Sequence, residues 1–329
     1  MGKAHFEDLS EGQREAAHAA LRHVLGAVPV DAVRRLSGGA TTAAVFRIDG
    51  GGRRYVLRVE GTPSPLRNPH QYVSMRIASE AGIAPRLHHA DEGNRVAVID
   101  YIEAQPLGSF PGGPPALAQA IGELLGRLQT TEVFPTFVDY PAIVARLWAH
   151  VCRTGLFAPG VLDPITARLD EIRKAYVWDR ASSVSSHNDP VPANILFDGQ
   201  RLWLIDWESA YCNDPLVDIA ITSGHFARTP GLQAALLRAC IGHVPDDALL
   251  ARLALVRALS RLYYAGVFLS ASALAPRAAP DSDVSAPTLA EFEEAVRTGR
   301  LTPGTAHFKH VLGKMFLASF LSDVPTPSF

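Results

Sequence analysis

"HNDPVPANILFDGQRLWLID", residues 187–206, presses a polar knot, His187, Asn188, Asp189 and Asn194, against two short apolar runs that close on a second aspartate, Asp206. Asp198 and Gly199 between the runs supply hairpin turn chemistry. A hairpin here brings Asn194, just before its first strand, close to Asp206, at the end of its second. Both side chains offer hard oxygen donors suited to Mg²⁺, which takes one or two protein oxygens together with phosphate oxygens and water. Asp189 lies five residues before Asn194 in a loop stiffened by Pro190 and Pro192. There it can accept a hydroxyl proton without binding the metal.

Outward from this stretch the chain changes character. Upstream, "VRRL", "TTAAVFRI", "RYVLRV", "PRLHHA" and "RVAVID" read as short strands separated by Gly-rich turns, with one helix over residues 69–81. "DGGGR" is too short for a parallel crossover, so the middle strands are expected to be antiparallel. From Pro114 onward the spacing of apolar residues is helical, and "APRAAPDSDVSAPT", residues 275–288, reads as a loop between helices. The expected fold is α+β and bilobal. Residues 1–102 are expected to form an N-terminal lobe of antiparallel sheet plus helix, and residues 103–329 a larger, mostly helical lobe. A cleft between them near residues 100–110 is the natural place for a ligand.

Composition narrows the partners. With 31 Lys and Arg against 33 Asp and Glu, the net charge of −2 gives no global field for nucleic acid or an anionic membrane. The N-terminus lacks the apolar core of a signal peptide and reads as an amphipathic helix begun near Ser10, so a cytoplasmic location is expected. "LYYAGVFLSASALA", residues 262–275, is too short to cross a bilayer and reads as a buried helix. Cys152, Cys212 and Cys240 have no C-x-x-C pairing and are expected to be reduced packing residues. Monomer and homodimer both stay open.

The spacing H-x-D-x-x-x-x-N followed by an aspartate closing a hairpin is that of the catalytic loop and metal aspartate of kinase-type phosphotransferases. "HNDPVPANILFDG" and "LIDWESAYCNDPLVDIA" resemble the aminoglycoside phosphotransferase and choline kinase superfamily, most nearly its choline and ethanolamine kinase branch, over roughly residues 30–270. The resemblance implies a protein-kinase-like fold, ATP and Mg²⁺ as cofactors, and a small-molecule hydroxyl as acceptor. It makes Asp189 the catalytic base, Asn194 and Asp206 the metal ligands, His187 a brace of the loop and Asp218 its hydrogen-bonding support. "LSGGATT" is similar to the family's phosphate loop, which brings in Gly38, Gly39, Thr41 and Thr42, with Thr42 where asparagine is usual. Arg58 stands where aminoglycoside kinases carry lysine and choline kinases commonly carry arginine. A guanidinium there can bridge two phosphates. Counting back from "GIAP", the family's helical glutamate falls near Gln71, while Glu80 lies on the opposite face of the helix. "VAVIDYIE", which includes Ile99 and Tyr101, resembles the strand and hinge that hold adenine.

For the acceptor, Glu208, two residues past Asp206, can meet the metal or a cationic substrate. Trp207, Tyr211, His225, Phe226, Tyr263, Tyr264 and Phe268 can supply aromatic faces for an ammonium group, or form core. A choline- or ethanolamine-like amino-alcohol is the expected acceptor. An aminoglycoside or other antibiotic or metabolite hydroxyl fits the same machinery, and a pseudokinase would follow if Gln71 weakened phosphate positioning.

Overall fold

The computed structural model describes residues 6–36, 43–61, 68–277, 279–322 and 326–327. The chain opens on helix α1 (Glu11–Leu25), started by a capping box in which Ser10 and Gln13 each satisfy the other's backbone amide. Five strands then follow, β1 (Val30–Arg35), β2 (Ala44–Gly50), β3 (Arg53–Val59), β4 (Leu87–Asp91) and β5 (Val96–Asp100), with α2 (Gln71–Glu80) between β3 and β4. They make one sheet in the order β1-β2-β3-β5-β4, with every pairing antiparallel. The tight β2–β3 hairpin requires left-handed backbone at Gly51 and Gly52, which have φ of 59° and 71°.

Alternation along β3 decides what faces the ligand side. Tyr55, Leu57 and Val59 point with Phe46, Ile48, Val96 and Val98 into a core closed by Ala17, Ala20 and Leu21 of α1. Arg58, one residue out of phase, therefore points to the opposite face with its cross-strand neighbour Ala97. That face looks toward α2 and the helical half, whose core includes Ala97, Tyr72 and Met75.

Residues 101–112 lead into the helices α3 (Gly113–Gln129), α4 (Tyr140–Arg153) and α5 (Asp163–Ala175). Four short strands follow, β6 (Val184–Ser186), β7 (Ile195–Phe197), β8 (Leu202–Leu204) and β9 (Tyr211–Asn213). Then come α6 (Leu216–Phe226), α7 (Pro230–Ile241), α8 (Asp247–Ser272), α9 (Leu289–Arg297) and α10 (Ala306–Ser322). The long apolar stretch of α8 is accounted for by packing, since its Leu253, Val256, Leu259, Leu262, Ala265 and Leu269 are buried against α4, α6 and α10. Although α8 is long and apolar enough by composition to cross a membrane, it is a core helix here. The loop over residues 275–288 is clamped by Asp281, which accepts from His310 Nε2 at 2.8 Å and Lys314 Nζ at 3.0 Å. Helix α9 is an addition to the elements read from sequence. Of the cysteines, Cys212 is buried and Cys240 half-buried, but Cys152 is exposed on the solvent side of α4, which corrects its reading as a packing residue.

The β7–β8 hairpin couples the two halves. Leu204 N donates to Ile83 O, just past α2, at 3.0 Å, and Gln105 N in the connector donates to Phe197 O at 2.7 Å. The residues of the opening stretch thus sit where sheet, connector and helices meet.

Candidate active site

The loop that carries Asp189 is fixed from beneath by a buried carboxylate. Asp218, in the first turn of α6, accepts from His187 N and from Asn188 N, both at 2.7 Å. Burial pushes the Asp218 pKa up, while the His187 charge and the two amides pull it down. Asn188 takes a left-handed backbone, φ 62°, a conformation asparagine tolerates better than most residues. Its amide nitrogen donates to Ser209 O at 2.9 Å and Tyr211 O at 3.2 Å, and its oxygen accepts from Asn213 at 2.7 Å. Asn188 is therefore a clip between the loop and β9, whose pairing with β6 sets the loop's entry.

His187 is buried against Trp207, with ring centroids 4.8 Å apart, and its Nε2 donates to Ile205 O at 2.8 Å. Burial lowers its pKa, and the ring braces the end of β8. Asp189 itself is gripped from two sides. Tyr264 OH on α8 donates to Oδ1 at 2.7 Å, and Asn194 Nδ2 donates to Oδ2 at 3.1 Å and to the Asp189 carbonyl at 2.9 Å. Burial, partly offset by the Tyr264 hydrogen bond, raises the Asp189 pKa to about 7.

The hairpin brings the two oxygen donors together as its register requires, because Ile195 faces Leu204 and Ile205 N donates to Asn194 O at 3.0 Å. With its nitrogen committed to Asp189, the Asn194 amide has its oxygen left for another partner. Asp206 also adopts a left-handed backbone, φ 65°, a conformation that costs an L-residue about 1 kcal/mol and aims its carboxylate away from β8. Asp206 Oδ1 accepts from Arg58 Nη1 at 2.8 Å, and Arg58 Nη2 pairs with Glu208. Arg58 thus meets acids of the 206–208 turn. Gln71 is buried at the first position of α2, and α2 is tied to the same turn through Ser74 Oγ and Asn68 Nδ2, which both donate to Ala210 O.

The donor set fits Mg²⁺. An amide oxygen and a carboxylate oxygen stand at adjacent ends of one hairpin, and among the described residues no group of three His, Cys, Asp or Glu offers a soft or all-protein cage.

The other sequence-assigned residues fall into two groups. Gly38, Gly39, Thr41 and Thr42 lie outside the described residues. Ile99 faces the main core on β5 and leans toward the helical half. Tyr101 N donates to Arg54 O at 3.1 Å, continuing the β3–β5 ladder, and its ring lies under Arg47, so its amide is not available to a purine. Of the proposed acceptor residues, Trp207 is walled in by Phe134 and His187, and Tyr211 is buried edge-on to Phe137. Both are core rather than substrate faces, because a turn that must hold Asp206 rigidly needs its neighbours packed. Phe268 stacks on Phe316, and Tyr264 reaches Asp189.

The raised Asp189 pKa has a testable sign in the metal-free, nucleotide-free protein. A carboxyl whose folded pKa exceeds its unfolded value adds stability below the unfolded pKa, near 4, and loses it as pH rises through about 7. Asp189→Asn removes this pH-dependent term. Its melting temperature is expected to exceed the parent's at pH 8, with the gap closing toward pH 4; a gap independent of pH would contradict the assignment.

Comparison with known proteins follows the same lines. The family model described as "Phosphotransferase enzyme family" matches residues 32–255, and the chain belongs to that family of small-molecule phosphotransferases. Protein LicA of Haemophilus influenzae is 50% identical over 193 residues, 54% of this chain and 68% of LicA. A choline/ethanolamine kinase family protein from Mesorhizobium loti shares the fold with a TM-score of 0.68 at 21% identity, over 94% of this chain and 95% of that one. The structure of LicA in complex with AMP superposes with a TM-score of 0.64 at 16% identity, over 95% of this chain and all of the other, 100%.

Proposed function

We propose that this protein transfers the γ-phosphoryl group of ATP to the hydroxyl of a small amino-alcohol of the choline or ethanolamine type. The observation that carries the reading is Asp189. Its carboxylate is oriented by Tyr264 and Asn194 and has a pKa near 7, which suits a group that accepts a hydroxyl proton as the phosphoryl group leaves ATP. Phosphoryl transfer needs little covalent help from a protein, so positioning and charge placement carry the rate. Asp218 and Asn188 hold the loop, Tyr264 fixes the rotamer of Asp189, and Arg58 swings its guanidinium from the 206–208 acids to the nucleotide phosphates. Asn194 and Asp206 would hold Mg²⁺, which when bound supplies neutralisation of the phosphate charge.

Residues 1–102 serve the nucleotide and residues 103–329 the acceptor in this reading, with Gly38, Gly39, Thr41 and Thr42 on the phosphates and Gln71 supporting Arg58 from α2. A cytoplasmic location, where ATP is supplied, belongs to the same proposal. The amino-alcohol class rests on the likeness to LicA and to the choline/ethanolamine kinase family fold.

The test is ADP release with ethanolamine, choline, other amino-alcohols, aminoglycosides, thiamine and simple sugars, ranked by kcat/KM. The expected result is that an amino-alcohol leads. An aminoglycoside ranked first would replace the acceptor class and leave the phosphoryl chemistry standing.

A further inference from the structure

Arg58 stands on β3, the middle strand of the five-stranded sheet, so its backbone is set by pairing with Val45 on one side and Ala97 on the other. Its guanidinium is set by the 206–208 turn. Nη1 donates to Asp206 Oδ1 at 2.8 Å and Nη2 pairs with Glu208, with the arginine side chain only 12% exposed. Helix α2, which packs on the same turn, carries one acid, Glu80, exposed at its last position. The turn is itself immobilised. Trp207 is buried against Phe134 and His187, Ser209 O accepts from Asn188 Nδ2 at 2.9 Å, and Ala210 O accepts from Ser74 Oγ at 2.9 Å. Glu208 projects from between these anchors, with 36% of its side chain exposed.

The two acids differ in duty. Asp206 is the carboxylate assigned with Asn194 to Mg²⁺, so its pair with Nη1 is the one exchanged when metal and nucleotide bind. Glu208 engages the other nitrogen. A guanidinium carries its N–H donors in a rigid fork, so one end can stay on a carboxylate while the other turns to phosphate. On ATP, Glu208 then acts with two opposite signs. A fixed acid beside phosphates repels them and weakens binding. The same acid orders a long side chain before the nucleotide arrives, so that its rotamer freedom is not lost on binding. The second effect is the larger here, because solvent screens a carboxylate that is a third exposed, while the sheet and the anchored turn fix both ends of the pair.

We infer that Glu208 is a positioning residue for Arg58, a pivot that keeps Nη2 in the free and the nucleotide-bound protein and presents the guanidinium to the phosphates already ordered. This deepens the proposed function and rests on it for the nucleotide. The movement of Arg58 toward the phosphates frees Nη1 from Asp206 and turns about the Glu208 contact. Glu208 thereby serves the nucleotide, and neither the metal nor the acceptor.

The test is calorimetry of ATP binding to the full chain, to Glu208→Gln, to Arg58→Gln and to the double variant, with Mg²⁺ and again with EDTA, beside the KM values for ATP and for the amino-alcohol. Glu208→Gln is expected to weaken ATP binding about 3- to 10-fold in both metal conditions, the usual cost of ordering one long side chain on binding. The KM for ATP is expected to rise and that for the acceptor to stay. In the Arg58→Gln background the same change is expected to do nothing further, since the residue that Glu208 positions is gone. Glu208→Ala is the second variant, circular dichroism shows whether each folds, and either one suffices; unfolding of both overturns the inference in favour of a structural acid. Equal or tighter ATP binding by a folded variant also overturns it. So does a loss that persists in the Arg58→Gln background, that vanishes in EDTA, or that falls on the acceptor KM instead. ATP binding with the expected coupling but no phosphoryl transfer to any acceptor would leave the Glu208 pivot standing and remove the kinase reading.

Discussion

Asp189→Asn is expected to lower kcat by about 10²- to 10⁴-fold, the usual worth of a positioned general base, with little change in nucleotide affinity. The substitution is nearly isosteric, and an asparagine oxygen can still accept from Tyr264, so the loop geometry is expected to persist. What it removes is the ability to hold a proton. In the proposed reading Asp189 serves the acceptor while Arg58 and Asp206 serve the phosphates, so ATP binding by calorimetry is the internal control. Unchanged turnover would show that Asp189 is not the proton acceptor. A parallel collapse of ATP binding would show instead that it shapes the nucleotide site.

The second large effect is on stability. Asp218 is completely enclosed and accepts from the backbone amides of His187 and Asn188, so Asp218→Ala leaves two buried donors without their acceptor. Each such loss costs about 1–3 kcal/mol, giving about 2–6 kcal/mol in all. The amides belong to the residues immediately before Asp189, so turnover should fall along with stability. Urea unfolding checks the magnitude, and a loss below about 1 kcal/mol would mean the loop is held by the Asn188 clip rather than by Asp218.

Much of this organisation was legible in the chain because local signals agreed with tertiary demands. Asp198 and Gly199 announced a hairpin, and its register then placed Asn194 beside Asp206 without further information. Alternation in "RYVLRV" put Arg58 on the face away from Leu57 and Val59, where the core under α1 lies. Other features depend on distant partners that no local pattern encodes. Tyr264 lies 75 positions from Asp189, and nothing in "RLYYAG" says that one tyrosine meets the base while its neighbour Tyr263 packs on Tyr140. Trp207 resembles a substrate aromatic in sequence, yet Phe134 and His187 close around it. Nor did the expected helical partner decide where Arg58 goes, since Asp206 and Glu208 arrive from far along the chain. One omission had a readable signal. Thr288 and Glu291 form a capping box, and that T-x-x-E spacing announces α9 at the end of the proline-rich loop.

Two left-handed non-glycine residues, Asn188 and Asp206, flank the site on either side of the hairpin. Each carries a conformational cost offset by fixed hydrogen bonds or ion pairs, and each aims the segment next to it. Such strain concentrates where geometry must be held for chemistry. In this site the two aspartates have different partners, with Asp189 turned to Tyr264 and Asp206 turned to Arg58.

The most direct measurement is the fate of the γ-phosphorus, followed by ³¹P NMR with ATP, Mg²⁺ and the acceptor panel. The account expects a phosphomonoester resonance that grows with ADP, requires both Mg²⁺ and a hydroxyl compound, and is lost in Asp189→Asn. Inorganic phosphate alone, or ATP bound and unchanged with every acceptor, would contradict it.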